Sequence, residues 1–340
     1  MIYRSKAPLR IGLAGGGTDV SPYSELYGGA ILNATISLYA NATIEPISEN
    51  KIILQAIDQD EEQVFDWAKE LPVDGKLDLL KGIYNRIQKD YGINHQGFRL
   101  ATYVDAPAGS GLGTSSTLVV AIIGAFTEML RLPLGEYDMA HYAYNIERKD
   151  LNLAGGKQDQ YAATFGGVNF MEFYADDKVI VNPLRIKQQY LFELENNLLL
   201  YYTSTSRESA NIIKKQSKNV VDKKGSSIEA MHQLKEQARL MKEALLKGKL
   251  HEIGEVLDFG FQQKRQMAEG ISNPLIEEIY EAAKKAGATG GKISGAGGGG
   301  FMIFYCPVNT KYNVIKSLER FGGRYRRYKF TEHGLTTWTI

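Results

Sequence analysis

The stretch Pro107-Ala108-Gly109-Ser110-Gly111-Leu112-Gly113-Thr114-Ser115-Ser116-Thr117 runs directly into an apolar segment at residues 118–126. Hydroxyl residues just ahead of a periodic apolar run mark a helix start, so a helix is expected from Thr114 to about Arg131. Residues 97–104 alternate and read as a strand. A strand, a loop with three alternate glycines and a helix N-terminus together form a place for an anion. Glycine lets the backbone come within hydrogen-bond range of a ligand, and the helix offers free N–H groups and the positive end of its dipole. Pro107, Ala108, Gly109, Ser110, Gly111, Leu112, Gly113, Thr114, Ser115 and Ser116 are therefore the candidate nucleotide-phosphate residues. The loop taken alone also admits a tight turn with no ligand. No lysine follows Gly113, as a Walker-type loop would require.

The rest of the composition bounds the reading without deciding it. The chain has 340 residues, 44% of them hydrophobic and 23% charged, which suits two domains sharing a cleft. Lys and Arg total 40 against 39 Asp and Glu, so nothing marks a nucleic-acid or membrane-surface binder. Cys306 is the single cysteine, which excludes an intrachain disulfide and a cysteine metal cluster and fits a reducing cytoplasm. Residues 1–10 lack the apolar core of a signal peptide, and residues 118–126 are too few to cross a bilayer. A soluble cytoplasmic protein is expected.

Working outward, residues 2–13 read as a strand ending in Gly15-Gly16-Gly17. Residues 29–46 read as one or two strands and residues 51–57 as another; residues 78–91 carry helical spacing. A helix is expected over 136–151 and a short one between Gly155-Gly156 and Gly166-Gly167, followed by a strand at 168–173. The texture changes near residue 185. A strand at 198–202 precedes helices over about 207–220, 226–247, 249–269 and 274–286. A strand–loop–strand unit at 292–305 and late strands at 324–330 and 335–339 close the chain. The fold class is α+β with two lobes, an N-terminal domain of residues 1–185 and a C-terminal domain of residues 186–340.

Two carboxylates stand out from their surroundings. Glu147 shares a helical stripe with Ala140, Ala143, Tyr144 and Leu151, where an unpaired carboxylate is costly to bury; pairing with a buried arginine is the plainer alternative. Asp159 has Ala162 and Ala163 at i+3 and i+4, leaving room for a substrate; a helix-turn cap is its alternative. Gly295, Gly297 and Gly300 match G-x-G-x-x-G, but the residues that follow, Phe301-Met302-Ile303-Phe304-Tyr305, read as a strand. A dinucleotide fingerprint needs a helix there, so a nicotinamide oxidoreductase is disfavoured.

Three segments resemble the three motifs of the GHMP kinases: residues 6–19 (Lys-Ala-Pro-Leu-Arg-Ile-Gly-Leu-Ala-Gly-Gly-Gly-Thr-Asp), residues 107–116, and residues 292–300 (Lys-Ile-Ser-Gly-Ala-Gly-Gly-Gly-Gly). Their order spans most of the chain. Within that family, residues 7–23, 28–36 and 155–161 are most similar to the branch that phosphorylates the anomeric hydroxyl of D-glycero-D-manno-heptose 7-phosphate. The resemblance implies an N-terminal lobe like domain 2 of ribosomal protein S5 and a ferredoxin-like C-terminal lobe, with ATP between them. The second motif has Thr114-Ser115-Ser116 where many members have Ser-Ser-Ala. The first has Gly16-Gly17 where galactokinases carry Glu-His, which argues against galactose.

The resemblance also implies roles. ATP and Mg²⁺ are the expected cofactors, with Ser115 and Glu147 as metal ligands. Asp159 is the expected general base, or the charge that orients the acceptor hydroxyl, with Arg10 as its catalytic companion; Lys157 and Lys6 are second-rank catalytic cations. Gly16, Gly17, Thr18, Asp19 and Gly297 are expected at the sugar, although Asp19 also suits a helix cap. A sugar phosphate further needs an anion pocket, for which Arg207 is the first candidate, with Arg4, Arg185 and Lys187 left open. The expected reaction makes the 1,7-bisphosphate for nucleotide-activated heptose. A kinase for a fucose- or galactose-like sugar and a non-catalytic sugar sensor on the same fold are the rival readings.

Overall fold

The computed structural model describes residues 1–93, 97–205 and 209–340. Its organising strand is β2 (Gly29–Pro46), 18 residues long and buried on both faces in its first half. β1 (Tyr3–Ala14) pairs antiparallel along most of it, from Tyr3 opposite Ile44 to Ala14 opposite Leu32. On its other side β2 serves two partners in turn. Residues 29–34 pair with β6 (Val168–Phe173) and residues 40–46 with β5 (Phe98–Val104). β5 pairs in parallel with β3 (Lys51–Ala56), which pairs with β4 (Glu61–Asp66), and β6 pairs with β7 (Val179–Pro183).

Helix α3 (Thr114–Leu130) crosses the sheet formed by β1 and β2. It is buried from Ser116 to Phe126 all round its circumference, as a central helix must be. α1 (Tyr23–Tyr27), α2 (Asp78–Tyr91), α4 (Glu136–Asn145) and α5 (Gln158–Phe165) complete this half. The second half contains α6 (Gln188–Asn197) and a four-stranded antiparallel sheet. Its order is β11 (Arg324–Tyr325), β8 (Leu198–Tyr202), β10 (Phe301–Tyr305) and β9 (Gly290–Ile293). The remaining helices are α7 (Ser209–Val221), α8 (Gly225–Lys247), α9 (Ile253–Met267), α10 (Pro274–Lys285) and α11 (Lys311–Leu318). No helix among the described residues is long and apolar enough to cross a membrane.

The second sheet divides its side chains between two cores by strand alternation. Leu198, Leu200, Phe301 and Ile303 join the cluster that also holds Leu9, Ile11 and Leu32 of the first sheet. Leu199, Tyr201, Met302 and Phe304 face a separate cluster with Ile276 and Ile279 of α10. The chain end also crosses back. β12 (Thr336–Thr339) pairs with β1, from Tyr3 opposite Thr339 to Lys6 opposite Thr336. Thr331 donates to the Thr35 carbonyl at 3.0 Å, and Phe330 bridges Ile36. The expected strand at 324–330 is thus only two residues of β11 followed by a crossing segment, and residues 330–340 lie with the first sheet rather than the second. Gly334 makes the crossing possible, because a Cβ there would sit 2.0 Å from the Thr164 carbonyl oxygen.

Gly334→Ala is therefore expected to destabilise the fold by about 1–3 kcal/mol. Amide exchange should accelerate at residues 3–6, whose strand partner the substitution pries away; thermal denaturation and hydrogen exchange together measure it. Unchanged protection at those residues would show that β12 does not hold the β1 edge.

Candidate active site

The glycine loop has the conformation its sequence asks for. Gly109, Gly111 and Gly113 have φ of +71°, +82° and +79°, left-handed values that side chains resist. Gly113 sits at the N-terminus of α3 and no side chain caps that end, so its first-turn N–H groups are free for an anion. The buried Ser110 hydroxyl likewise has no partner among the described residues. The third glycine segment clamps this loop from the other half of the molecule. Ser294 Oγ donates to the Gly111 carbonyl at 2.8 Å, and the Phe301 N–H donates to Ser110 O at 2.9 Å.

Arg10 joins this loop to the second element of the site. It is 3% exposed and sends Nε and Nη2 to Asp159 Oδ1, each at 2.6 Å, while Nη1 donates to the Gly111 carbonyl at 2.6 Å. Asp159 lies in the first turn of α5, and its carboxylate borders a cleft of about 300 Å³ that the glycine loop also lines. Asp19 reaches the same helix end from outside. Its Oδ2 accepts the Lys157 and Gln158 N–H groups at 2.9 and 3.0 Å, so it caps α5 rather than α1. Its Oδ1 is buried without a partner among the described residues, and the cleft lies beside it. Burial pushes the Asp19 carboxyl above its ordinary range and neighbouring Asp159 adds to this, against the Gln158 N–H and Arg10.

Glu147 does not continue α4. The helix widens into a π turn at Ile146–Asp150, a feature that often marks functional positions. The turn aims the 1%-exposed carboxylate inward, where Gln160 Nε2 donates to it and Arg148 lies 3.6 Å away. Ser115 Oγ donates to it at 3.5 Å. A hydroxyl and a carboxylate at the mouth of a phosphate cradle are the hard oxygen donors that Mg²⁺ prefers, in the small number it usually takes from protein.

Some expected residues go elsewhere. Lys157 is not a cleft residue. Its amine lies 3.1 Å from Glu25 and 3.0 Å from Asp177, over the Tyr144 ring, where ion pairing satisfies it away from the site. Thr18 donates to the Gly15 and Ala30 carbonyls at 2.9 and 3.0 Å, so its hydroxyl holds the loop to β2. Gly297 packs on Ile271, where a Cβ would meet the carbonyl oxygen at 2.7 Å; its neighbours Gly295 and Ala296 line the cleft instead. Gly17 does line it, with its carbonyl accepting from Gln216 at 2.7 Å. Lys6 stacks over Tyr39. Arg207 lies outside the described residues.

Two lysines missing from the sequence-based set belong here. Lys264 of α9 lines the cleft and Lys292 of β9 lies behind it, each 3% exposed. Lys264 donates to the Gly295 carbonyl, and Lys292 to the Gly12 carbonyl at 2.9 Å. Burial, reinforced by Arg10, pulls Lys264 down to about 8 despite Asp19. Burial, Lys264 and Arg10 pull Lys292 well below its ordinary value. The signal was present, since Lys264 stands on the same helical face as buried Leu257 and Phe261.

With this geometry in place, the comparisons are specific. The model of the GHMP kinases N terminal domain matches residues 78–167, and that of the GHMP kinases C terminal domain matches residues 241–323. The chain is 48% identical, over 99% of both sequences, to D-glycero-alpha-D-manno-heptose 7-phosphate kinase of Campylobacter jejuni. It superposes with a TM-score of 0.85, 45% identity and 99% coverage of both chains on a crystal structure described as a D-glycero-D-manno-heptose 1-phosphate kinase from Bacteroides thetaiotaomicron. Lactococcus lactis galactokinase with galactose shares the fold at a TM-score of 0.77 and 18% identity, covering 98% of this chain and 95% of that one.

A lysine held near 8 instead of 10.5 costs the fold about 3 kcal/mol at neutral pH. A depressed lysine withholds its stabilising share when charged, so the cost is full below pH 8, shrinks as pH rises and vanishes above 10.5. Lys264→Met is thus expected to raise Tm at pH 7 by several degrees, with the gain fading toward pH 10. Scanning fluorimetry across that range measures it; a lower Tm at pH 7 or a pH-independent gain would contradict the depressed lysine.

Proposed function

The chain belongs to the GHMP kinases and is an ATP-dependent kinase, and we propose that it phosphorylates the anomeric hydroxyl of D-glycero-D-manno-heptose 7-phosphate. The product would be the 1,7-bisphosphate, a precursor of nucleotide-activated heptose. The observation that carries the reading is the Arg10–Asp159 pair at the rim of the glycine cradle, with the free Asp19 Oδ1 in the same cleft. The 48% identity to the Campylobacter jejuni enzyme supports the choice of acceptor. We further propose residues 1–185 and 186–340 as the two lobes, with residues 330–340 returned to the first, in a cytoplasmic enzyme.

In this reading the loop N–H groups and the α3 N-terminus hold the donor phosphates. Asp19 Oδ1 accepts a hydrogen bond from a sugar hydroxyl and fixes the ring. Asp159 accepts the proton of the attacking hydroxyl, and an anomeric hydroxyl is more acidic than an ordinary alcohol, which lowers the demand on the base. Arg10 keeps the Asp159 carboxylate oriented and places positive charge beside the transferring group. Ser115 and Glu147 would hold Mg²⁺, which supplies charge neutralisation of the phosphates when bound.

Wild-type protein is expected to release ADP with heptose 7-phosphate and to give a new anomeric phosphate resonance by ³¹P NMR. Turnover confined to fucose or another unphosphorylated sugar would overturn the acceptor assignment. Asp159→Asn is expected to lower kcat by about 10²–10⁴-fold while KM for ATP stays within about threefold. Glu147→Gln should raise the Mg²⁺ concentration for half-maximal rate by about tenfold or more. An unchanged Mg²⁺ dependence would remove Glu147 from the metal site.

A further inference from the structure

Lys264 and Lys292 are buried amines with no acidic partner among the described residues. Each makes one hydrogen bond to a backbone carbonyl, although an ammonium has three protons to give. Both converge on Gly16. A side chain at that position would begin 3.8 Å from Lys264 Nζ and 3.9 Å from Lys292 Nζ, and glycine leaves the space unfilled. Glycine is not needed there for a left-handed backbone, as it is at Gly15 and Gly17. Arg10 lies near enough to act on both amines, and it has its carboxylate already in Asp159. Buried charge with no fixed counter-ion is expensive, and a ligand that brings the negative charge relieves it.

The donor phosphates have a cradle of their own at residues 109–116. Gly16 stands on the loop that carries Asp19, so the amines and the carboxylate proposed to hold the sugar share one wall. We infer that Lys264, backed by Lys292 and given room by Gly16, binds the phosphate group carried by the acceptor sugar. The inference rests on the reading of the acceptor as a sugar phosphate. It makes Lys264 a specificity-determining residue, recognising the phosphate dianion that the acceptor carries. Lys264 also touches Gly295, which packs against the donor loop, so the donor γ-phosphate is the other source of the same chemistry.

Steady-state kinetics on the full chain separate these sources. Lys264→Met is expected to raise KM for heptose 7-phosphate by about 10–100-fold, the loss of a charge-assisted hydrogen bond, with KM for ATP within about twofold. Lys264→Arg should recover part of the acceptor affinity. Gly16→Asp, which plants a carboxylate beside both amines, should likewise raise the acceptor KM and also raise Tm. A rise in KM for ATP alone, an equal rise in both, or no change in either would overturn the inference. Folding is checked by the Tm of each variant, and the Met and Asp variants are expected to exceed wild type. Wild type is assayed in parallel on heptose lacking the phosphate. Equal use of the two sugars would overturn the sugar-phosphate reading itself. Strict preference for the phosphorylated sugar with an unaffected Lys264→Met variant would overturn the role of Lys264 and leave that reading standing.

Discussion

The approach of two backbones, at Gly111 and Gly295, is the constraint on which the site depends. A Cβ on Gly295 would lie 2.6 Å from Gly111 Cα, and one on Gly111 would lie 2.7 Å from the Ser294 carbonyl oxygen. Both residues also have positive φ, so glycine is required twice over at each. The contact brings together loops from the two halves of the chain and lets one carbonyl, that of Gly111, accept from both Arg10 and Ser294. Arg10 is in turn the fixed point for Asp159. The positions of the phosphate cradle and of the proposed base are thus set by the same backbone contact.

The charges around the cleft do not simply cancel. Arg10 and Asp159 form a tight pair, but among the described residues Asp19 keeps one oxygen unpaired while Lys264 and Lys292 bond only carbonyls. Such arrangements are poor investments in stability, because desolvation takes back most of what pairing returns. A contrast lies close by in Lys157, which is similarly buried but meets two carboxylates, Glu25 and Asp177, joining α1 to the turn between β6 and β7. The Lys157 amine is thus paired with acid on two sides, whereas the amines of Lys264 and Lys292 meet no acid among the described residues.

This contrast also shows what sequence can and cannot carry. α2 was legible to the residue because its apolar face repeats at helical spacing, and the strands beside the glycine segments were legible from alternation and turn chemistry. β4 escapes a reading by alternation because its residues are largely exposed and polar, while β7 is a five-residue strand with only Val179 and Val181 buried. The helix expected over 136–151 breaks into a π turn at Ile146, since the extra residue that redirects Glu147 leaves no mark in the periodicity. Lys157 was misplaced because its partners lie far off in sequence, and no local pattern says which way a long side chain turns. Lys264 is legible on the same ground as Glu147, because a charged residue on an apolar stripe needs a reason.

The cores settle how far the two halves can act separately. Strand alternation in β8 and β10 sends Leu198, Leu200, Phe301 and Ile303 into the same buried cluster as Leu9, Ile11 and Leu32, and α8 adds Ala238 and Met241 to it. Separating the sheets would expose that shared core at about 25 cal/mol per Å² of apolar surface, in addition to stripping β12 from β1. The cleft is accordingly a preformed feature of one packed unit, not a gap between two bodies swinging freely. Gln237 of α8 makes the same point in polar terms. Its Oε1 accepts from Gly15 N–H at 3.1 Å and its Nε2 donates to Val256 O of α9 at 2.9 Å, tying the sugar-side loop to the helix that bears Lys264. Positioning of this kind is what phosphoryl transfer chiefly asks of a protein, and here packing between the two halves supplies it.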